Sequence, residues 1–118
     1  MITKIVAKLK TGKIKNVVPF GSGNLPAAPY VVVKIENDGL GRGRLVRIIA
    51  HMLPGQNTFL EDYIFNDVSV LLEGFETTSR HGNRNVLETE NEYMDVVANN
   101  DDGTISMERR FILPSRIF

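Results

Sequence analysis

Three groups of residues in this chain are of types that could do chemistry. The first is Gly39-Leu40-Gly41-Arg42-Gly43-Arg44, a glycine run with arginines. A phosphate-binding loop must follow a strand and open a helix, so that the helix N–H groups point at the anion. Here apolar, β-branched runs flank the glycines on both sides, so the plain reading is a flexible turn between strands. The functional reading is that Arg42 and Arg44 stand exposed and meet an acidic protein surface or a nucleic-acid backbone. The second group is Glu88, Glu90 and Glu92, which share one face if the segment is a strand. Hard-metal sites draw ligands from several directions or from a tight loop, so a solvated strand face is the plainer reading. The sharper reading makes these carboxylates the arginines' partners across a subunit interface. The third group is His51 and His81, the only histidines. Neither lies in metal-ligand spacing, and there is no nucleophile elbow. A Ser/His/Asp set can be drawn from almost any chain, so its availability carries no weight. No catalytic, cofactor-binding or metal-binding residue is expected, and the chain reads as a non-enzyme.

The elements that must position these groups follow from periodicity. Ile2, Ile5, Val6 and Leu9 make one apolar stripe on a short helix, with Gly12 expected as its C-cap; the alternative is an extended arm, because Ile and Val also suit strands. Residues 19–29 (PFGSGNLPAAP) read as an exposed loop that contacts partners through Phe20, Asn24 and Leu25. Tyr30 to Ile35 is a strand. Leu45 to Leu53 is another, with Val46, Ile48, Ala50 and Met52 on an apolar face and Arg47 and His51 on a mixed one. Pro54-Gly55-Gln56-Asn57 breaks it. Thr58 and Glu61 then have the spacing of a capping box, and Leu60, Tyr63, Ile64, Val68, Leu71 and Leu72 form the buried stripe of a longer helix that Gly74 stops. Residues 76–85 read as loop. A meander is expected over Val86 to Glu92, extending toward Ala98, and over Thr104 to Leu113. Residues 99–103 (NNDDG) turn between its strands, because Asn, Asp and Gly tolerate positive φ. Asn100, Asp101 and Asp102 are a second expected partner-contact loop.

The expected fold is a single α+β domain over residues 1–118, a mainly antiparallel sheet flanked by a short N-terminal helix and one longer central helix. Its length suits one domain. There is no cysteine for disulfides or thiol chemistry. No apolar run reaches the roughly 20 residues of a membrane span. The first residues lack the continuous apolar core of a signal peptide, so a soluble, unsecreted chain is expected. Net charge is zero but unevenly spread: residues 1–60 carry six Lys and three Arg against two acids, and residues 61–118 carry five Arg against twelve. Either folding interleaves the halves, or the molecule has a basic and an acidic face suited to head-to-tail packing.

The proline-led strand Pro29-Tyr30-Val31-Val32-Val33, the strand ending in RIIAH and the helix LEDYIFNDVSVLL resemble segments of small tailed-bacteriophage neck proteins, the tail terminators and tail-completion proteins. The resemblance covers residues 28–113 in element order. It implies a virion protein of the head–tail junction, made in the host cytoplasm. Such a protein assembles into a ring, typically a hexamer, which caps the tail tube and docks to head-connector and head-completion proteins. It needs no cofactor and no membrane, and DNA passing through the ring could touch it non-specifically. On that reading Arg42, Arg44 and Arg47 of one copy meet Glu88, Glu90 or Glu92 of the next. The alternative is a small nucleic-acid-binding module that uses the Lys-rich start and the arginine turn.

Overall fold

The computed structural model describes residues 2–37, 43–78, 84–86, 88–89 and 97–114, with backbone alone for 77–78, 84–86, 88–89 and 114. The chain is an α+β fold built on a six-stranded sheet. Helix α1 (Ile2–Leu9) leads to a short strand β1 (Val17–Pro19). Strands β2 (Tyr30–Asn37) and β3 (Gly43–Met52) follow. A central helix comprises α2 (Asn57–Asp62), a π-helical turn (Tyr63–Asp67) and α3 (Val68–Leu72). Strands β4 (Glu76–Thr78) and β5 (Arg84–Val86) form a separate two-stranded ribbon. Strands β6 (Glu88–Thr89), β7 (Ala98–Asn99) and the long β8 (Ile105–Pro114) complete the main sheet.

The sheet runs in the order β1-β2-β3-β8-β6, and β7 pairs with β8 beside it. All pairings are antiparallel except β1 with β2, which is parallel and makes the sheet mixed. Strand alternation sorts the side chains onto two faces. Val31 and Val33 of β2, Val46, Ile48, Ala50 and Met52 of β3, and Ile105, Met107, Phe111 and Leu113 of β8 are all buried in one core. Both helices pack on this face. Helix α1 lies over β1 and β2, and the central helix over β3 and β8. Ile5 and Leu9 from α1, with Leu60, Tyr63, Ile64, Val68 and Leu72, close the core, and Ile2, Val6 and Leu71 pack at its margin.

The central helix differs from its expected start. It begins at Asn57, its N-cap is Gln56 rather than Thr58, and no side chain caps it. The capping box of Thr58 and Glu61 is therefore not formed. Gln56 instead ties the preceding turn, accepting the Leu53 N–H on Oε1 at 3.3 Å. The π-turn also has a reason in the sequence. Leu60, Ile64, Val68 and Leu72 are spaced by four, and each such step overshoots an α-helical turn by about 40°. Widening one turn absorbs the overshoot and keeps all four in the core. Its mark is the Val68 N–H, which bonds the Tyr63 carbonyl five residues back.

Three other expectations need correction. Gly12 does not cap α1 in a left-handed conformation. The helix ends at Leu9, and the Thr11 and Gly12 N–H groups turn back to the Lys8 and Leu9 carbonyls. Glycine matters at position 12 because a Cβ there would lie 2.7 Å from Leu71 Cδ1. Residues 76–78 and 84–86, read as loop and meander, are the β4–β5 ribbon. Their sequences, Glu-Thr-Thr and Arg-Asn-Val, show no apolar alternation to announce a strand. The start of the expected loop at Pro19 belongs to β1, a strand too short for any periodicity to announce. Gly74, by contrast, stops the central helix as expected with φ +73°.

Candidate functional site

The second face of the sheet carries the chemistry-bearing side chains. Register places Lys34, Arg47 and Arg110 in one row across β2, β3 and β8. Like charges directly opposite one another on a sheet are destabilising. Two carboxylates one pleat away resolve this. Glu108 accepts two hydrogen bonds from Arg47, Nε to Oε2 at 2.9 Å and Nη2 to Oε1 at 2.6 Å, and a third from Arg110 Nε. Glu36 lies 3.6 Å from Arg47 and 3.4 Å from Lys34. The result is a ladder of three cations and two anions in which Arg47 bridges both acids. Burial of the Glu108 carboxyl pushes its pKa up, but the hydrogen bonds and charges of Arg47 and Arg110 outweigh this and hold it below its ordinary value.

At the other end of the same face, Tyr30 and His51 are cross-strand partners whose rings stack 4.6 Å apart, within 9° of parallel. His51 Nδ1 is buried without a hydrogen-bond partner among the described residues. Burial lowers the His51 pKa, and the charge of Asp102 only partly opposes this. Ser106 stands opposite His51 on β8. Serine, histidine and aspartate are thus neighbours, but no relay joins them. Ser106 Oγ donates to Asn100 Oδ1 at 3.4 Å, and Asp102 Oδ1 accepts the Thr104 hydroxyl at 2.6 Å and the Thr104 N–H at 3.0 Å. The Thr104 bonds also lower the Asp102 pKa. Among the described residues no group of three His, Asp or Glu side chains could hold a metal ion, and no helix is long and apolar enough to cross a membrane.

A cleft of about 320 Å³ opens beside β1. Lys10, Lys15, Asn16, Val17 and Val18 line one side, and Asn24, Leu25 and Pro26 of the following loop line the other. Lys15 Nζ caps the end of α1 by donating to the Lys10 carbonyl at 3.2 Å. Phe20 and Leu25 are large apolar residues left 62% and 58% exposed. Lys34 lies 4.5 Å over the Phe20 ring, a cation–π contact that holds the loop against β2.

The expected site residues divide accordingly. Arg47 is held within its own chain by Glu108 and Glu36, not presented unencumbered to a neighbour. Arg44 is exposed at the start of β3, between Asn37 and Leu113. Glu88 pairs with Ile112 on β6, while Arg42, Glu90 and Glu92 lie outside the described residues, as does His81. The glycine run joins β2 to β3, which are antiparallel neighbours, so no helix follows it to cradle a phosphate. Phe20, Asn24 and Leu25 are exposed, as are Asp101 and Asp102, with Asn100 half-buried. Sequence reading missed Glu36, Glu108 and Arg110. Their signal was there, since Lys34-x-Glu36 and Glu108-x-Arg110 each put opposite charges on one strand face. It also missed Arg109, whose Nη1 lies 3.4 Å from both the Ile64 and Phe65 carbonyls of the π-turn. No family model matches this chain, and no curated protein matches it.

Proposed function

We propose that this chain is a structural subunit of a tailed-bacteriophage neck, a tail-terminator-like protein. It self-associates into a ring, hexameric as in the proteins it resembles, that caps the tail tube and docks to the head connector. The observation that carries this reading is the loop of residues 20–29, which leaves Phe20 exposed and sets the exposed Leu25 in the lining of a cleft at the edge of the sheet. Apolar side chains presented together on a loop favour burial against another surface. The α+β class, a sheet with helices packed on it, is also the one the resemblance implies. The carboxylate neighbours of Arg47 give that residue a role inside the subunit, so on this reading the loops join the exposed Arg44 as the surfaces offered to assembly.

The test is sedimentation velocity with negative-stain imaging of the purified chain, alone and with tail tubes. Closed rings, or discs seated on tube ends, are the expected result. A chain that stays monomeric at high concentration and ignores tail tubes would overturn the reading.

A further inference from the structure

We infer that copies of this chain meet head to tail, the acidic turn of residues 100–103 of one copy seating against the basic cleft beside β1 of the next. This rests on the ring-forming reading above.

The cleft has lysines at positions 10 and 15 and no carboxylate among the described residues of its lining. Its strand edge is closed to an added strand. The Asn16 carbonyl and the Phe20 N–H both bond β2, so alternation leaves the backbone groups of Val17 and Pro19 at the open edge while the Val17 side chain stays in the core. Proline has no N–H, and the Val17 N–H is already bonded to the Lys15 carbonyl at 3.1 Å. A partner must therefore be recognised by side chains, namely two ammonium groups and the exposed Leu25.

The turn offers the complement. Asp101 and Asp102 are exposed. The loop is fixed before any docking: the Gly103 N–H bonds the Asn100 carbonyl at 3.1 Å, the Asn100 N–H bonds the Thr104 carbonyl at 2.9 Å, and Thr104 holds Asp102. A loop already held in shape loses little entropy on binding. Leu53, 50% exposed, follows Met52, whose partner on β8 is Ile105, so it stands beside the turn. Each charged patch thus carries one exposed leucine.

Position makes the contact one between copies. Val17 pairs with Val31, and Ile105 pairs with Met52, so both patches lie at the same end of the sheet. Between β1 and β8 stand β2 and β3, three strand spacings or about 14 Å. Patches set that far apart across the sheet leave their charges to be met by another copy. Repeated from copy to copy they make a heterologous contact, the kind that closes into rings.

Two charge-altered variants test this, Lys10→Glu with Lys15→Glu, and Asp101→Lys with Asp102→Asn. Self-association is read by sedimentation velocity, and folding by circular dichroism and melting. Each variant alone is expected to associate about tenfold more weakly than the parent, or worse. An equal mixture is expected to recover assembly, because the altered turn then faces the altered cleft and each intact patch faces its counterpart. Recovery on mixing also shows that both variants fold. Rings indifferent to both variants, or losses that mixing does not repair, would overturn this contact while leaving ring formation standing. A parent chain that never associates would overturn both.

Discussion

At the scale of single residues, Arg47 and Glu108 show how far a side chain's role depends on its cross-strand neighbours. Arg47 looked free because sequence gives its face but not the register, and register alone sets it between Lys34 and Arg110. Glu108 is what makes that row tolerable. Its side chain is only 12% exposed, so removing its charge takes away the carboxylate that Arg47 and Arg110 share in a poorly hydrated place. Glu108→Gln is expected to destabilise the fold by about 2 kcal/mol in urea unfolding. Replacing Arg47 and Glu108 together by Met and Leu should cost clearly less than the sum of the two single changes. Simple additivity would show that the pair is not coupled. A second residue-scale expectation concerns His51. Burial lowers its pKa from 6.5, so the folded state resists protonation where the unfolded chain accepts it. The unfolded state then binds more protons below pH 6.5, and stability falls as pH drops through that range. His51→Phe keeps a ring against Tyr30 and removes the titration. Its stability relative to the parent should therefore rise between pH 7 and 5 in chemical unfolding, and an unchanged difference would mean that the imidazole is not desolvated.

At the scale of elements, apolar periodicity made α1, β2, β3 and the central helix legible, because each has one face committed to a single core. What stayed hidden depends on partners distant in sequence. β1 is three residues long and exists only because β2 lies alongside it. The β4–β5 ribbon is polar, and the missing cap at Asn57 reflects a preceding turn that engages Gln56 instead. The π-turn is the clearest case. The four-residue spacing of its stripe was visible, but the widening depends on packing beneath it and on Arg109, which reaches the Ile64 and Phe65 carbonyls from β8. Tyr63 opens this turn fully buried, with a hydroxyl that finds no partner among the described residues. Burial, and to a lesser degree the Asp67 charge, push its pKa from 10.0 up to about 12. Between those values the unfolded chain releases the phenolic proton and the native state keeps it, so stability falls as pH rises through that window. Tyr63→Phe removes this loss and the orphan hydroxyl together. The variant should be no less stable than the parent at pH 7, and should gain on it by about 2 kcal/mol by pH 12. A gap that does not widen in alkaline unfolding would show that the hydroxyl is solvated or bonded.

For the whole molecule, folding settles much of the charge asymmetry between the two halves. Lys13 lies 3.7 Å from Asp62 and 3.4 Å from Asp67, and Arg47 grips Glu108, so first-half cations meet second-half acids inside one subunit. Lys34 has Glu36. The interleaved reading of the sequence therefore accounts for these residues, and among the described residues the sharper one holds at the flanks, where Lys10 and Lys15 stand apart from Asp101 and Asp102. This limits what the basic half could do with nucleic acid. Lys4 and Lys8 on α1, with Lys10 and Lys15 just beyond it, are the cations near one another that have no carboxylate partner among the described residues. Each phosphate contact contributes about −0.9 to the slope of log K against log salt, so four give about −3.5 on duplex DNA. The chain is accordingly expected to bind DNA weakly, without sequence preference, and with a slope no steeper than about −4 in a fluorescence titration across salt. That suits a ring wall touching DNA in passage. A slope near −6, about seven contacts, would need three more cations, such as Lys13, Lys34 and Arg47 leaving their carboxylates for phosphates. The subunit would then be reorganised by nucleic acid, and a nucleic-acid-binding module would become the better account of the fold.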